Sequence, residues 1–152
     1  MAEAKTYTEQ QWHRKCGVDL YNHTWTLIEK AGRTPEEDDE MLQAAYTSRY
    51  HWSRIGGPVE FARSAWQISH VYALLKRADQ ALYHAERCLQ LCEANGIGDF
   101  DLAFAYEALT RAHAVAGNAE ARAHYLELAK SAGAQIKEAD DRDIFFDQLA
   151  AM

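Results

Sequence analysis

The side chains with the widest chemical reach in this sequence are seven histidines and three cysteines. The histidines are His13, His23, His51, His70, His84, His113 and His124, and the cysteines are Cys16, Cys88 and Cys92. Imidazole and thiolate are the ligands zinc prefers. His84, Cys88 and Cys92 are spaced four apart, so a helix would carry them on one face, one turn after another. The competing reading places both cysteines in a core, where free cysteine behaves as a small apolar residue. We adopt the second, and treat His13 with Cys16 the same way. No histidine has a carboxylate three residues before it and no His-x3-His occurs, so the signatures of di-iron bundles and zinc peptidases are missing.

Asp19 with His23, and Glu120 with His124, have the spacing of acid–base pairs on a helix. Exposed helix pairs of this kind are usually structural. Gly96-x-Gly98 lacks the further glycines and the lysine of a phosphate loop, and no Gly-x-Ser-x-Gly elbow is present. The expectation is therefore a protein with no catalytic residue, metal or cofactor.

Sixteen Lys and Arg face twenty-three Asp and Glu, for a net charge of −7 in 152 residues. That balance opposes binding to nucleic acid, whose affinity rests on neutralising phosphates, and to an anionic membrane surface. No apolar run approaches the roughly 18 residues of a spanning helix. Residues 1–7 lack the apolar centre of a secretory signal. A small, odd number of cysteines suits a reducing cytoplasm. Five consecutive acids, Glu36 to Glu40, read as a solvated helix start, and the acidic stretch from Glu138 to Asp147 reads alike.

The elements that carry these residues are marked by punctuation. Thr34-Pro35 with Glu37 is a capping box with proline at the first helical position. Pro58 marks another start, Asp99 and Asn118 are candidate N-caps, and Gly32, Gly56, Gly96, Gly117 and Gly133 read as C-terminal caps. Seven helices follow, near 8–31, 35–55, 58–76, 79–95, 100–116, 119–132 and 140–150, with no strands. Each has apolar residues at spacings of three and four, such as Phe61, Ala65, Ile68, Tyr72 and Leu75 on the third. Short connections imply antiparallel hairpins.

The chain repeats itself. Ala65-x2-Ile68-Ser69-x2-Tyr72 returns as Tyr106-x2-Leu109-Thr110-x2-His113, and Ala81-x3-Ala85-x2-Cys88 as Ala121-x3-Tyr125-x2-Leu128. The offsets are 41 and 40 residues. Ala81 and Ala121, Tyr72 and Tyr125, and the turn Gly117-Asn118 resemble the tetratricopeptide repeat. Departures are Ser69 and Thr110 in place of its glycine, and a period longer than its usual 34 or so. A copy over residues 8–55 is weaker. The whole chain also resembles small uncharacterised bacterial proteins of tetratricopeptide type.

That resemblance implies an all-α array of helical hairpins, with a terminal helix whose Ile144, Phe145 and Leu149 cover the last apolar face. Phe146 points away from that stripe, as partial burial or as a contact in a homodimer. It also implies a concave groove lined by first helices: Arg63, Trp66 and His70; Phe104, Glu107 and Arg111; and Arg14, Val18, Tyr21 and Trp25. Aromatics and arginines are enriched at binding hot spots, and arginine can hold a carboxylate by two bonds. The expected partner is a protein or peptide segment, with a carboxylate or acidic group to meet the arginines. Against this, Trp66 and Tyr21 suit a core and the arginines could pair with local acids. The Lys/Asn clamp of chaperone-tail binders is not reproduced. The alternative function is a small-molecule- or metal-binding helical protein, enzymes included.

Overall fold

The structure is a computed structural model and describes residues 2–152. Among the described residues it is all-helical: α1 (Glu9–Ile28), α2 (Pro35–Ile55), α3 (Pro58–Leu74), α4 (Ala78–Ala94), α5 (Asp99–Ala116), α6 (Ala119–Ala134) and α7 (Ala139–Ala150). None is long and apolar enough to cross a membrane. Capping sets the starts. The Thr34 hydroxyl accepts the Glu37 N–H and the Glu37 carboxylate accepts the Thr34 N–H, both at 3.1 Å. Thr8 and Gln11 do the same for α1. α5 ends at Gly117 (φ 79°), whose left-handed turn lets the Asn118 N–H reach the His113 carbonyl.

Three candidate caps sit elsewhere. Gly32 lies three residues beyond Glu29, which caps α1. Asp99 is the first residue of α5, itself left-handed at φ 54°. Its carboxylate accepts the N–H groups of Phe100 and Lys137, which holds the turn. Gly133 lies inside α6 rather than beyond it, where it leaves room for Phe145.

Helices α1 with α2, α3 with α4, and α5 with α6 pair most extensively, and the hairpins stack in order through α2·α3 and α4·α5. The result is a tetratricopeptide-like array of antiparallel hairpins. Close approach within hairpins is marked by small polar residues. Ser48 Oγ donates to the Gly17 carbonyl at 2.7 Å, and Ser69 Oγ to the Ala81 carbonyl at 2.8 Å. Ser69 thus stands where the repeat pattern has glycine, and satisfies its hydroxyl across the hairpin.

The weak first copy is a complete hairpin in the same register. Leu27, Ile68 and Leu109 are spaced by 41 and all buried. On the second helices, Met41 and Ala81, Ala45 and Ala85, and Ser48 and Cys88 are spaced by 40 and all buried. Side-chain identity has drifted while position has not. The third helix differs from its expected one-sided stripe: every residue from Ser64 to Ala73 is buried. Packed against α1, α2, α4 and α5, it has no exposed residue along that stretch, while Arg63 just before it reaches solvent.

α7 packs on α5 and α6 and covers the end of the stack. Phe145 has no exposed surface and meets Phe104 edge-on at 5.1 Å. Leu149 is half-buried, while Ile144 is 52% exposed and does not join the core. Gly133 makes the seat: a Cβ there would lie 2.2 Å from Phe145 Cε1. Alanine favours a helix over glycine by about 1 kcal/mol. Overpacking a closed core costs about 1–3 kcal/mol, and so severe a contact puts this site at the upper end. Gly133→Ala should therefore lower stability by about 1–2 kcal/mol and the melting temperature by about 3–6 °C. A melting temperature at or above wild type would mean that Phe145 is not seated there.

Candidate functional site

The odd-numbered helices share one cleft of about 550 Å³. α1 contributes Tyr21 and Trp25, α3 Ala62, Arg63 and Trp66, and α5 Phe100, Asp101 and Phe104. Asp141, Ile144 and Gln148, at i, i+3 and i+7 on α7, form the remaining wall, and Cys88 of α4 lies at the floor. Trp25 and Trp66 meet at 5.4 Å and 37°, Trp66 and Phe104 at 5.3 Å and 80°, Phe100 and Phe104 at 4.6 Å and 55°. These rings form inclined walls, not a stack.

Of the ten residues expected to line a groove, five do so: Tyr21, Trp25, Arg63, Trp66 and Phe104. Arg14, over the Trp52 ring at 5.4 Å, and Val18 line a smaller depression that shares Tyr21 and Arg63 with the main cleft. His70 packs behind the tryptophans, 5.8 Å from Trp25 and 5.4 Å from Trp66. Glu107 is wholly buried, and Arg111 opens on a separate depression beside Lys76 and Arg122.

The arginines do not wait for a partner's carboxylate. Arg63 Nε and Nη2 donate to the two Asp101 oxygens at 2.9 and 3.2 Å. Arg111 donates twice to Glu107 Oε1, at 3.0 and 2.6 Å, and Trp66 Nε1 donates to Glu107 Oε2 at 2.7 Å. Burial pushes the Tyr21 phenol up to about 12, so it stays protonated. A hydrogen bond with Cys92, reinforced by burial, holds the Cys88 thiol well above its ordinary range. Both arginines are thus paired, and the Tyr21 phenol and the Cys88 thiol keep their protons at neutral pH.

The metal and acid–base candidates separate. His84 Nε2 shares a hydrogen bond of 3.1 Å with the Tyr46 hydroxyl and stacks on Tyr72, so it turns away from Cys88 and Cys92. Both cysteines are buried. His13 Nδ1 meets His51 Nδ1 at 2.9 Å instead of turning to Cys16. Asp19 pairs with Lys15, and His23 with Glu40 at 3.1 Å. Among the described residues, no three His, Cys, Asp or Glu side chains gather closely enough to hold a metal ion.

Phe100, Asp101, Asp141, Ile144 and Gln148 escape the sequence-based stripe. Phe100 and Asp101 continue it one turn toward the start of α5 and could have been found by extending the spacing. The α7 residues could not, because nothing in the sequence says which side of the stack that helix crosses. Set against known protein families, curated proteins and solved structures, the chain matches none of them.

Removing Glu107 leaves a buried indole N–H and a largely buried guanidinium without an acceptor. Loss of one partner from such a set costs about 3–5 kcal/mol. Glu107→Ala should lose that much in urea unfolding, and Glu107→Gln, which keeps an acceptor for Trp66, clearly less. Equal losses would mean that the charge alone matters and that the acceptor kept for Trp66 contributes nothing.

His70 gives a pH signature. Burial, with Arg111 nearby, lowers its pKa from 6.5 to about 3. Above pH 6.5 both folded and unfolded states hold a neutral ring, and the stability is intact. Below it the unfolded chain takes up a proton that the folded one refuses, so stability falls as pH drops toward 3, by about 1.4 kcal/mol per pH unit. His70→Phe should abolish about 2 kcal/mol of the stability lost between about pH 7 and pH 5. An unchanged pH dependence would show that His70 titrates normally in the fold.

Proposed function

We propose that this chain is a tetratricopeptide-like interaction module, cytoplasmic and non-enzymatic, that binds a segment of a partner protein in the cleft between α1, α3, α5 and α7. One observation carries the reading: five aromatic side chains from three consecutive hairpins converge on a single cavity that is open to solvent. Aromatic pockets of this kind hold the anchoring side chains of protein interfaces. A carboxylate anchor does not suit it, because Asp101 and Glu107 already occupy Arg63 and Arg111. Pairing of those arginines and protonation of Tyr21 also argue against catalysis.

Cavity volume favours one competing reading, since about 550 Å³ also lies within the roughly 300–1,000 Å³ of small-molecule sites. A screen of displayed random peptides against the purified protein separates the two. Selected peptides should bind wild type and lose at least about tenfold, or 1.4 kcal/mol, against Trp25→Ala/Ile144→Ser. Both positions are partly exposed, so the variant should keep wild-type helicity. No cleft-dependent peptide, with a small molecule retained in native mass spectrometry, would replace this reading by the small-molecule one.

A further inference from the structure

We infer that the side chain entering the cleft is cationic: an aliphatic stem ending in an ammonium group, as lysine of a partner segment provides. The inference rests on the reading of the cleft as a partner site and specifies what it takes. Two independent features of the cavity select this chemistry.

The first is the aromatic wall. A cation within about 6 Å of a ring face is attracted by the ring quadrupole, most strongly by tryptophan. Trp25, Trp66 and Phe104 touch one another at 37° and 80°, so a group resting against the wall they form meets rings inclined in more than one direction. Such walls accept a methylene stem and a positive head, and give a carboxylate nothing.

The second is charge. Asp101 is neutralised by Arg63, but Asp141, half-buried on the α7 wall, has no cationic partner among the described residues. Asp140, Asp143 and Asp147 lie on the same helix. Its one basic residue, Arg142, is turned to the Ile136 carbonyl at 2.8 Å. The cleft therefore couples apolar ring faces to an uncompensated carboxylate, within a chain of net charge −7. A neutral anchor would use only the rings, and an acidic one would be repelled. Because the cavity is larger than one side chain, backbone on either side of the lysine can enter its mouth.

The probes are three short acetylated and amidated Gly/Ser peptides with one central lysine, norleucine or glutamate. Norleucine keeps the stem and deletes the ammonium. Binding is read at low salt from the indole N–H NMR signals of Trp25 and Trp66, with Trp12 and Trp52, outside the cleft, as internal controls. The lysine peptide should shift the Trp25 and Trp66 signals and bind about tenfold more tightly than the norleucine peptide. The glutamate peptide should shift neither. Asp141→Asn, isosteric and at a half-buried position of α7, should bring lysine to the norleucine level, and added salt should narrow the difference. Equal binding of lysine and norleucine overturns the inference but leaves the cleft as a site for apolar segments. No shift with any peptide also overturns it, and the displayed-peptide screen then decides separately whether the cleft binds a segment at all.

Discussion

A carboxylate with no exposed surface organises the interior of this protein. Glu107 would be costly to bury alone, because transferring a charge from water is repaid only by close, well-aligned partners. It has them: the Trp66 indole N–H from α3 and two guanidinium N–H groups of Arg111 one turn along α5. The bonds cross from one repeat to the next, so α3 and α5 cannot slide past each other without stranding a charge. That requirement holds the Trp66 ring where it forms a wall of the cleft. His70, neutral and packed on the same ring, completes the support from behind.

The repeat explains why these groups meet. Trp25, Trp66 and Glu107 are separated by 41 residues each, as are His70 and Arg111. Equivalent positions of consecutive hairpins lie beside one another, and two tryptophans and one acceptor form a ladder through the array. The imidazole–phenol stack also recurs with its members exchanged: Tyr72 on His84 in the second hairpin, His113 on Tyr125 in the third. A stacked array keeps volumes and contacts at such positions while residue types change.

What was legible in the sequence follows from the range of each signal. Helix starts and stops depend on residues within a turn of one another, so Thr34-Pro35-x-Glu37 and Gly117-Asn118 placed them well. Gly133 misled because a glycine that admits a neighbouring ring looks the same as one that ends a helix; only Phe145, across a turn, tells them apart. The cleft was half legible. Repeat offsets brought Trp25, Trp66 and Phe104 together, but spacing cannot say how deep a side chain lies, and so Glu107, Arg111 and His70 were placed on a surface they support from within. The pairing of Arg63 with Asp101 joins residues 38 apart on different helices, and no local pattern announces it.

α7 both covers the end of the stack and walls the cleft, through adjoining faces of one short helix. Phe145 seats it against Gly133 while Asp141, Ile144 and Gln148 look into the cavity. The two roles are thermodynamically linked. An occupant that touches α7 strengthens the docking of that helix by the same free energy with which docking strengthens the occupant. Any occupancy of the cleft would thereby be felt on the far side of α7, where the 36%-exposed Phe146 lies. The covering helix can thus act as a reporter of the site, with slower backbone amide exchange along α7 as its signal.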